Sequence, residues 1–571
     1  MRRSVAGRWL VLSSLAFLAA CGGGGGGSGG GGSSPKLSLG PSPLVVTAQE
    51  FSAASVTLTG SVANSSTSSN PAYFRVTGSA SAFDAQPVIT GTFANFSVAA
   101  HTLPWLSAGV HTGTITVAAC TDSQCMSTDP TLTTSLPYTI TVSPSAQAVH
   151  RLQPSTIAVA LASTPLGTVL SRSLTVHDNF GLGTGWTATS DSPWLSVTAS
   201  GQSDATALVI TANPASLPAG QDSVATITLA SSSTGVTGAI IHVGLWKSST
   251  DVASLTALPG VDPTDIARDP WRPLAYVVDG GADVQVFNAH TATRVATFAG
   301  VGSQLVAVAV APDGAQLYAM DASTSTIKVV DLATRQVVAT WTMGQLGSLK
   351  FQHLAVVRPN GTDVLLVGNG TAMVNGRSLG NTGVVPGFVT AIDNGTRLYA
   401  IQANIDPTYV WSYELRWSDA NGGQFFAMNS GSVSNPGGDA ANGEQLAVAG
   451  DGSALALADA TGGCMRLDPV TLAFQSMALA HVDGFTDAVA LGAGGSIACG
   501  ASMSSQATST STALGIYGAT GATIASYPSS LAFQTGGYMA TSSDGLVLLY
   551  FAFDGNTGVW SLLFAPMVAV Q

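Results

Sequence analysis

Side chains that could carry out acid–base or metal chemistry are few in this 571-residue sequence. From residue 250 to the C-terminus there are three histidines, His290, His353 and His481. General acid–base catalysis needs such groups close to one another, and only His353, His481 and Asp483 form a candidate group that loops could assemble. No His-x-x-x-His or Cys-x-x-Cys motif supplies a metal site. We therefore expect no cofactor and favour a noncatalytic protein, with a loop-built catalytic site as the alternative.

A second kind of candidate site is aromatic. Residues 409–418 (YVWSYELRWS) alternate with a two-residue period, which places four aromatic residues on one face of a strand, namely Tyr409, Trp411, Tyr413 and Trp417. This face could bind a ligand, since aromatic groups are enriched at recognition sites, or it could pack between two sheets. Trp194 leaves the same two interpretations open, a surface on which sugars stack or core packing.

Repeated strand-and-turn units must position these residues. A turn glycine followed by a β-rich run recurs every 34 to 57 residues, at Gly314, Gly361, Gly395, Gly452, Gly495 and Gly545. With Arg268–Val277, where Pro replaces Gly, there are seven units. This period is typical of four-stranded propeller blades, which stack around an axis because one blade alone cannot bury both its faces. We predict an all-β fold with a seven-bladed β-propeller over residues 250–571, closed by pairing of the segment 251–258 with the last strand.

One of the units carries a family resemblance. The run Ala311–Thr340 (APDGAQLYAMDASTSTIKVVDLATRQVVAT) resembles the YVTN-type repeat of bacterial surface propellers, with its Pro-Asp-Gly turn and its Asp-x-x-Thr turn. Tyr318-Ala319-Met320 stands where the family has Tyr-Val-Thr. The resemblance is strong over residues 270–340 and is limited to turn and strand spacing over 361–571. It implies a propeller without implying one activity, because the family does not share one.

Two further β-rich modules precede this region. Residues 36–145 contain strand-length runs with a two-residue period, which predicts an immunoglobulin-like β-sandwich. Residues 150–247 predict a second one, and their segment 192–231 resembles the BACON class of immunoglobulin-like modules. The matching residues are Trp194, Leu195 and Val197, then Leu217, Ala219 and Gly220, then Thr226–Thr228. The resemblance implies a spacer or a glycan-binding module.

The N-terminus predicts export and anchoring. In residues 1–20, three arginines precede an apolar stretch that is too short to span a bilayer, as in a secretory signal. Leu18-Ala19-Ala20-Cys21 resembles the bacterial lipobox, which implies cleavage before Cys21, lipidation of its side chain and a membrane anchor; Gly22 fits sorting to the outer membrane. The alternative is a secreted protein in which the cysteine is fortuitous. Residues 21–35 then form a Gly-rich tether.

The other four cysteines are discussed in pairs. Cys120 and Cys125 flank a short hairpin-like segment, and in an exported protein we predict that they form a disulfide. Cys464 and Cys499 lie in strands of successive units. The sequence leaves open whether they are bonded or are buried thiols, because bonding depends on how close the two strands bring their Cβ atoms.

Composition limits the possible partners. Charged residues make up 9% of the chain and its formal net charge is −12, so we expect no nucleic-acid partner, which would require a basic face. Taken with the N-terminus, this leads us to expect a lipid-anchored protein of the bacterial cell envelope whose propeller binds a protein or a glycan. The alternative is a propeller hydrolase, lyase or lactonase-like enzyme that acts on an envelope polymer or a lactone.

Overall fold

The computed structural model of the protein is all-β, which confirms that part of the predicted fold class. It describes residues 34–568 except 65–72, 78–81, 84–87, 104–105, 107, 122–126, 146–148, 251–254, 344–352, 385–386, 392–395, 403–408, 420–422, 435–444, 450–453, 460–462, 481–484, 503–511, 529–538 and 555–558. The chain forms two compact units, one of residues 1–44, 55–100 and 113–138 and one of residues 45–54, 101–112 and 139–571.

The described part of residues 36–143 contains eight strands. They are β1 (Lys36–Gly40), β2 (Leu44–Gln49), β3 (Ser55–Ala63), β4 (Phe74–Thr77), β5 (Val88–Gly91), β6 (Asn95–His101), β7 (Gly109–Cys120) and β8 (Thr128–Ser143). Two four-stranded sheets result, with the orders β1-β3-β6-β5 and β2-β8-β7-β4. The strands β3 and β7 alternate buried and exposed residues along much of their length, as their two-residue sequence period predicts.

Residues 150–247, which we call the second module, contain eleven strands. They are β9 (Leu152–Pro154), β10 (Ala158–Thr164), β11 (Gly167–Val169), β12 (Ser171–Leu174), β13 (Val176–Asp178), β14 (Gly185–Ser190), β15 (Leu195–Val197), β16 (Ser200–Gln202), β17 (Leu208–Ala212), β18 (Gln221–Ser231) and β19 (Ala239–Lys247). A six-stranded sheet has the order β11-β10-β19-β18-β14-β16 and a three-stranded sheet the order β12-β17-β15. Their apolar residues share one core, which includes Trp186, Ile210 and Val243.

Residues 256–566 contain a further strand and seven four-stranded sheets. After β20 (Thr256–Pro259), sheet 1 has β21 (Asp265–Arg268), β22 (Leu274–Val278), β23 (Val284–Asn288) and β24 (Thr293–Phe298); sheet 2 has β25 (Leu305–Val310), β26 (Gln316–Asp321), β27 (Thr326–Asp331) and β28 (Gln336–Thr342). Sheet 3 has β29 (Leu354–Val357), β30 (Val364–Val367), β31 (Thr371–Val374) and β32 (Arg377–Asn381). Sheet 4 has β33 (Gly387–Ala391), β34 (Arg397–Gln402), β35 (Tyr409–Ser418) and β36 (Gln424–Ser434).

The remaining sheets follow in the same way. Sheet 5 has β37 (Leu446–Val448), β38 (Leu455–Asp459), β39 (Gly463–Leu467) and β40 (Phe474–Ala480); sheet 6 has β41 (Phe485–Leu491), β42 (Ile497–Ser502), β43 (Thr512–Tyr517) and β44 (Thr523–Pro528). Sheet 7 has β45 (Met539–Thr541), β46 (Val547–Asp554) and β47 (Val559–Pro566), and its fourth strand is β20. Two short 3-10 turns, Pro359–Gly361 and Ala493–Gly495, join the first two strands of sheets 3 and 6.

The seven sheets close on themselves, and we call them the seven-sheet ring. The first strands of successive sheets contact one another, from β21 to β45, and β45 contacts β21 again. In the last sheet, Thr256 pairs with Phe564 and Pro259 with Ser561, so strands from both ends of the ring complete one sheet, as the sequence predicted. Apolar cores fill the spaces between neighbouring sheets, because each sheet has two apolar faces to bury.

The predicted turn glycines show why the units recur in the sequence. Gly314 and Gly545 have φ angles of +70° and +80°, a region that residues with a Cβ atom rarely adopt. Each ends the connection from the first to the second strand of its sheet. Gly395 and Gly452, which were predicted to do the same, lie outside the described residues.

Candidate functional site

The predicted aromatic face is divided by the fold. Tyr413 and Trp417 are only 3% and 6% exposed and pack between sheets 3 and 4, where the indole nitrogen of Trp417 donates to Asp419 at 2.9 Å. Tyr409 and Trp411 are half-buried, with ring centroids 6.0 Å apart. Trp411 packs against the same core cluster as Tyr413 and Trp417, and its indole nitrogen is buried without a hydrogen-bond partner among the described residues, so the aromatic face passes from the core at Trp417 to a half-buried end at Tyr409.

Four other residues were predicted as candidates, and none is placed beside Tyr409 and Trp411 by a described contact. Trp194 lies in the core of the second module, which corresponds to its packing interpretation. His353 immediately precedes β29, and burial lowers the pKa of its ring to about 4. His481 and Asp483 lie outside the described residues, so the predicted group with His353 stays a prediction.

The structure answers the pairing question for one of the two cysteine pairs. Cys464 in β39 and Cys499 in β42 form a disulfide with a Cα–Cα distance of 5.8 Å, which links sheets 5 and 6 and settles the alternative that the sequence left open. Cys120 ends β7, but Cys125 lies outside the described residues, as does Cys21. The pairing of Cys120 with Cys125 and the lipidation of Cys21 stay predictions.

Sequence reasoning missed the largest group of buried charged residues, which lies where the second module meets the seven-sheet ring. Each sheet of the ring has one end at which its first strand turns into its second, and in sheets 1 to 6 the third strand turns into the fourth at the same end. We call this end the docking rim. The other end, with the connections from second to third strand and between sheets, is the opposite rim. The second module contacts four turns of the docking rim, which are both turns of sheet 1 and the first turns of sheets 3 and 7.

Close packing at the docking rim involves both backbone and rings. A Cβ atom at Gly244 of β19 would lie 2.1 Å from the carbonyl oxygen of Trp271, so glycine is required for this approach. His242 stacks on Trp271, and Trp246 stacks on His290, with ring centroids 5.8 and 6.0 Å apart. Ala162 and Leu166 of the second module share a hydrophobic core with residues of sheets 1 and 7, such as Phe287 and Leu549.

A polar contact fixes the module to sheet 3. The side chain of Asn179 donates to the Asn360 side-chain oxygen at 2.7 Å, and that of Gln153 donates to the same oxygen at 3.5 Å. Asn360 occupies the turn between β29 and β30 with a φ of +51°, a conformation that asparagine tolerates better than most residues. Since sheets 1, 3 and 7 all contribute contacts, the module is held at separate points around the rim.

Two ion pairs occupy the centre of this junction. Asp269 is fully buried and accepts hydrogen bonds from the Arg272 guanidinium at 2.7 Å and from the Tyr276 hydroxyl at 2.9 Å. Burial, reinforced by the charge of Asp269, raises the pKa of Tyr276 well above its ordinary value. In the second pair, His290 Nε2 lies 2.7 Å from Asp544 Oδ2, while Ser542 donates to Asp544 Oδ1 at 2.6 Å. Despite the opposing effect of burial, His290 and these hydrogen bonds lower the pKa of Asp544.

The arrangement of Ser542, Asp544 and His290 differs from a nucleophilic triad. In a triad the histidine lies between the hydroxyl and the carboxylate so that it can take the hydroxyl proton. Here both Ser542 and His290 bond to Asp544, on different oxygens, and all three residues are buried. The group can therefore form a buried, charged contact between the second module and the seven-sheet ring, but it lacks the arrangement for nucleophilic catalysis.

A third carboxyl group, Asp222 of β18, faces the two ion pairs from the second module. Burial, with the charge of Asp269 as the next cause, raises the pKa of Asp222 to about 7. Its Oδ1 atom is buried and has no hydrogen-bond partner within the described part of the chain. The only sequence signals for this junction are Trp246 at the end of the second module and the pair Trp271-Arg272 in the first turn of the ring, and neither indicates what it packs against.

The opposite rim holds the half-buried members of the predicted set. Tyr409 begins β35 and pairs with Gln402, the last residue of β34, so it lies at the connection between the second and third strands. Trp411 follows on the same strand, and His353 precedes the first strand of sheet 3. The fold therefore places these residues at the end of the ring that the second module does not contact through the interactions above.

The described part of the structure contains neither a cluster of potential metal ligands nor a helix that could span a membrane. Among those residues, no group of three or more His, Cys, Asp or Glu side chains could hold a metal ion. No helix found there is long and apolar enough to cross a membrane.

Comparisons with known proteins add little. No family model matches the chain, and no curated protein matches it. Among solved structures it is similar to the hydrazine synthase of Kuenenia stuttgartiensis, at 15% identity and a TM-score of 0.36, over 53% of this chain and 95% of that one. Similarity at this level identifies neither a shared fold nor a shared activity.

Proposed function

We propose that the protein is a noncatalytic binding or scaffold protein of the bacterial cell envelope, whose C-terminal region is a seven-bladed β-propeller that presents one face to a protein or glycan ligand. The observation that carries this proposal is the buried junction at the docking rim. A module that is packed and hydrogen-bonded to sheets 1, 3 and 7 holds the ring in a fixed orientation, which suits a protein that displays a surface.

The display requires an anchored end and a ligand-facing end. We propose the lipobox-like Cys21 as the lipid anchor, at the outer membrane, with residues 21–35 as its tether and residues 36–145 and 150–247 as immunoglobulin-like spacers, the second of BACON type. Two features support this polarity. The second module lies next to the ring in the chain and occupies the docking rim, and the half-buried pair Tyr409 and Trp411 lies towards the opposite rim.

Tyr409 and Trp411 are the residues we assign to ligand contact. Aromatic rings supply a large contact area at low conformational cost and stack on the apolar faces of sugars and on apolar protein side chains. Both rings are half-buried, so they are held by their surroundings while keeping part of their surface in solvent. Tyr413, Trp417 and Trp194 are assigned to packing because they are buried.

The test uses residues 36–571 without the lipid anchor on a glycan array, together with the double variant Tyr409→Ala, Trp411→Ala. We expect glycan capture by the parent protein and its loss in the double variant, with unchanged circular dichroism. The matched control is Tyr73→Ala, which removes an exposed tyrosine (43% exposed) outside the ring. Capture that survives in the double variant would reject this pair as the contact, and absence of any capture would reject a glycan ligand.

A further inference from the structure

One carboxyl group at the docking rim has no ion-pair partner among the described residues. Three carboxyl groups meet there, those of Asp222, Asp269 and Asp544, close to Arg272 and His290, and the Oδ1 atom of Asp222 is buried without a hydrogen-bond partner among those residues. Asp269 is already paired with Arg272 and Asp544 with His290, at 2.6 and 2.7 Å. Asp222 is therefore the carboxyl group in excess, and its negative charge would face two others.

The basic groups that the second module brings to this region are engaged elsewhere. Arg172 of β12 donates to the backbone carbonyl oxygen of Asp544 at 3.5 Å. Trp246 is the cross-strand neighbour of Asp222, and Lys247 comes next on β19. The ammonium group of Lys247 instead donates to the carbonyl oxygens of Pro214 and Leu217, at 2.8 and 2.7 Å. A buried carboxylate that lacks a compensating charge or hydrogen bond is costly, so the docked arrangement favours the neutral acid.

We propose that Asp222 is a proton-dependent lock between the second module and the seven-sheet ring: its neutral form lets the two pack, and its ionisation loosens the junction. The direction follows from linkage. The docked state raises the pKa of Asp222 to about 7, while an undocked, solvated Asp keeps its ordinary value of 3.8. The stabilising effect of the neutral form is complete below the lower value, is lost as the pH rises through the higher one, and does not change further above it.

The consequence for the molecule is an orientation of the ring that depends on pH. In mildly acidic surroundings the ring is fixed on its module, and at pH 8 the docking equilibrium is shifted towards the open state. Because each pKa unit corresponds to a factor of about ten in that equilibrium, a shift from 3.8 to about 7 permits a change of up to roughly a thousandfold. Docking of the second module on the ring is measured without any ligand, so this inference does not depend on the proposed function.

Hydrogen–deuterium exchange of residues 36–571, between pH 4 and pH 8 and corrected for the intrinsic exchange rate, tests the lock. We expect amides of β18, β19 and the turn 269–273 to exchange at least about tenfold faster at pH 8 than at pH 5, whereas amides of sheets 4 and 5 change little. In Asp222→Asn, an uncharged side chain of the same shape, the junction should stay protected at every pH.

Two outcomes would overturn the proposal. One is a pH dependence of the junction that persists in Asp222→Asn, since it would then arise from His290 and Asp544. The other is an equal pH dependence of all sheets in the parent protein, a measurement that needs no variant and holds even if Asp222→Asn folds poorly. The matched control is Asp265→Asn, which removes another carboxyl group with a raised pKa from the inner strands of the ring; it should leave the pH dependence of the junction unchanged.

Discussion

The Nε2 atom of His290 lies 2.7 Å from Oδ2 of Asp544, although the two residues are 254 positions apart in the chain. His290 follows the third strand of sheet 1, and Asp544 lies in the first turn of sheet 7. The pair thus joins the first and last sheets of the ring directly beneath Trp246 of the second module. It is one of the contacts by which the closure of the ring and the docking of the second module are coupled.

Removal of one partner of this pair should be strongly destabilising. In His290→Ala the Asp544 carboxylate stays buried without its partner, which should lower the free energy of unfolding by about 3–5 kcal/mol. Urea denaturation at pH 6 measures the change. The control is His177→Ala, which breaks a pair with Asp204 whose side chains are both about half exposed, and here we expect less than about 1 kcal/mol. Equal effects in the two variants would contradict the buried pairing.

The aromatic residues of β35 should separate into two classes. Trp417→Ala leaves a cavity between sheets 3 and 4 and should cost about 3–5 kcal/mol, measured by thermal or chemical unfolding. Tyr409→Ala removes a half-buried ring and should cost clearly less. If Trp417→Ala were as stable as the parent protein, the assignment of Trp417 to packing would be wrong.

The disulfide between Cys464 and Cys499 should stabilise the ring. It closes a segment of 35 residues, for which the chain-entropy model gives about 4 kcal/mol. We expect Cys464→Ala, Cys499→Ala to lower the free energy of unfolding in guanidinium by up to this amount. The comparison is Cys120→Ala, Cys125→Ala, whose predicted disulfide closes a much shorter segment and should contribute about 2 kcal/mol.

Asp265 should make the ring less stable at alkaline pH. Its Oδ2 accepts the backbone N–H of Val308 at 2.9 Å, between the inner strands of sheets 1 and 2, and burial raises its pKa to about 7. The stability contributed by the neutral acid is present below pH 3.8 and is lost as the pH rises through 7. Asp265→Asn should thus resemble the parent protein at pH 4. At pH 8 its free energy of unfolding, measured by urea denaturation, should exceed that of the parent by at most about 4 kcal/mol, and by less where solvent reaches the group.

The ring itself supplies a precedent for that substitution. At the corresponding place between sheets 5 and 6, the uncharged Gln445 accepts the backbone N–H of Val489 at 3.2 Å. An uncharged amide therefore serves in sheet 5 where sheet 1 has the carboxyl group of Asp265. A variant that is less stable than the parent protein at pH 8 would show that Asp265 acts as a carboxylate.

Gly545 should resist substitution for two separable reasons. Its φ angle is +80°, and a Cβ atom would lie 2.4 Å from the backbone nitrogen of Ala493 in sheet 6. Gly545→Ala should cost more than about 2 kcal/mol in chemical unfolding. Gly220 has the same φ with nothing within 4 Å of a Cβ atom, so Gly220→Ala should show the backbone cost alone, about 1 kcal/mol. Equal costs would mean that the contact with Ala493 is unimportant.

How far the sequence predicts this molecule depends on whether a feature is local. Turns such as Pro312-Asp313-Gly314 carry their own signal, and their repetition predicted the seven sheets and the shared last sheet. The period of two in residues 409–418 predicted which side chains share a face but not what covers that face, so the burial of Tyr413 and Trp417 required the neighbouring sheet. The sequence could not predict the charged group at the junction, because Asp222, Asp269 and Asp544 come from three distant segments.

The strand Thr256–Pro259 has a mechanical consequence. This strand of four residues, β20, comes from the start of the ring and completes the last sheet. It pairs with β47 from Thr256–Phe564 to Pro259–Ser561. A tensile load applied to the chain ahead of residue 256 would reach the ring at this short seam. The packing of the second module on the same rim gives that load a parallel path, so the junction shields the seam, and a weakened junction would lower the force at which the ring opens.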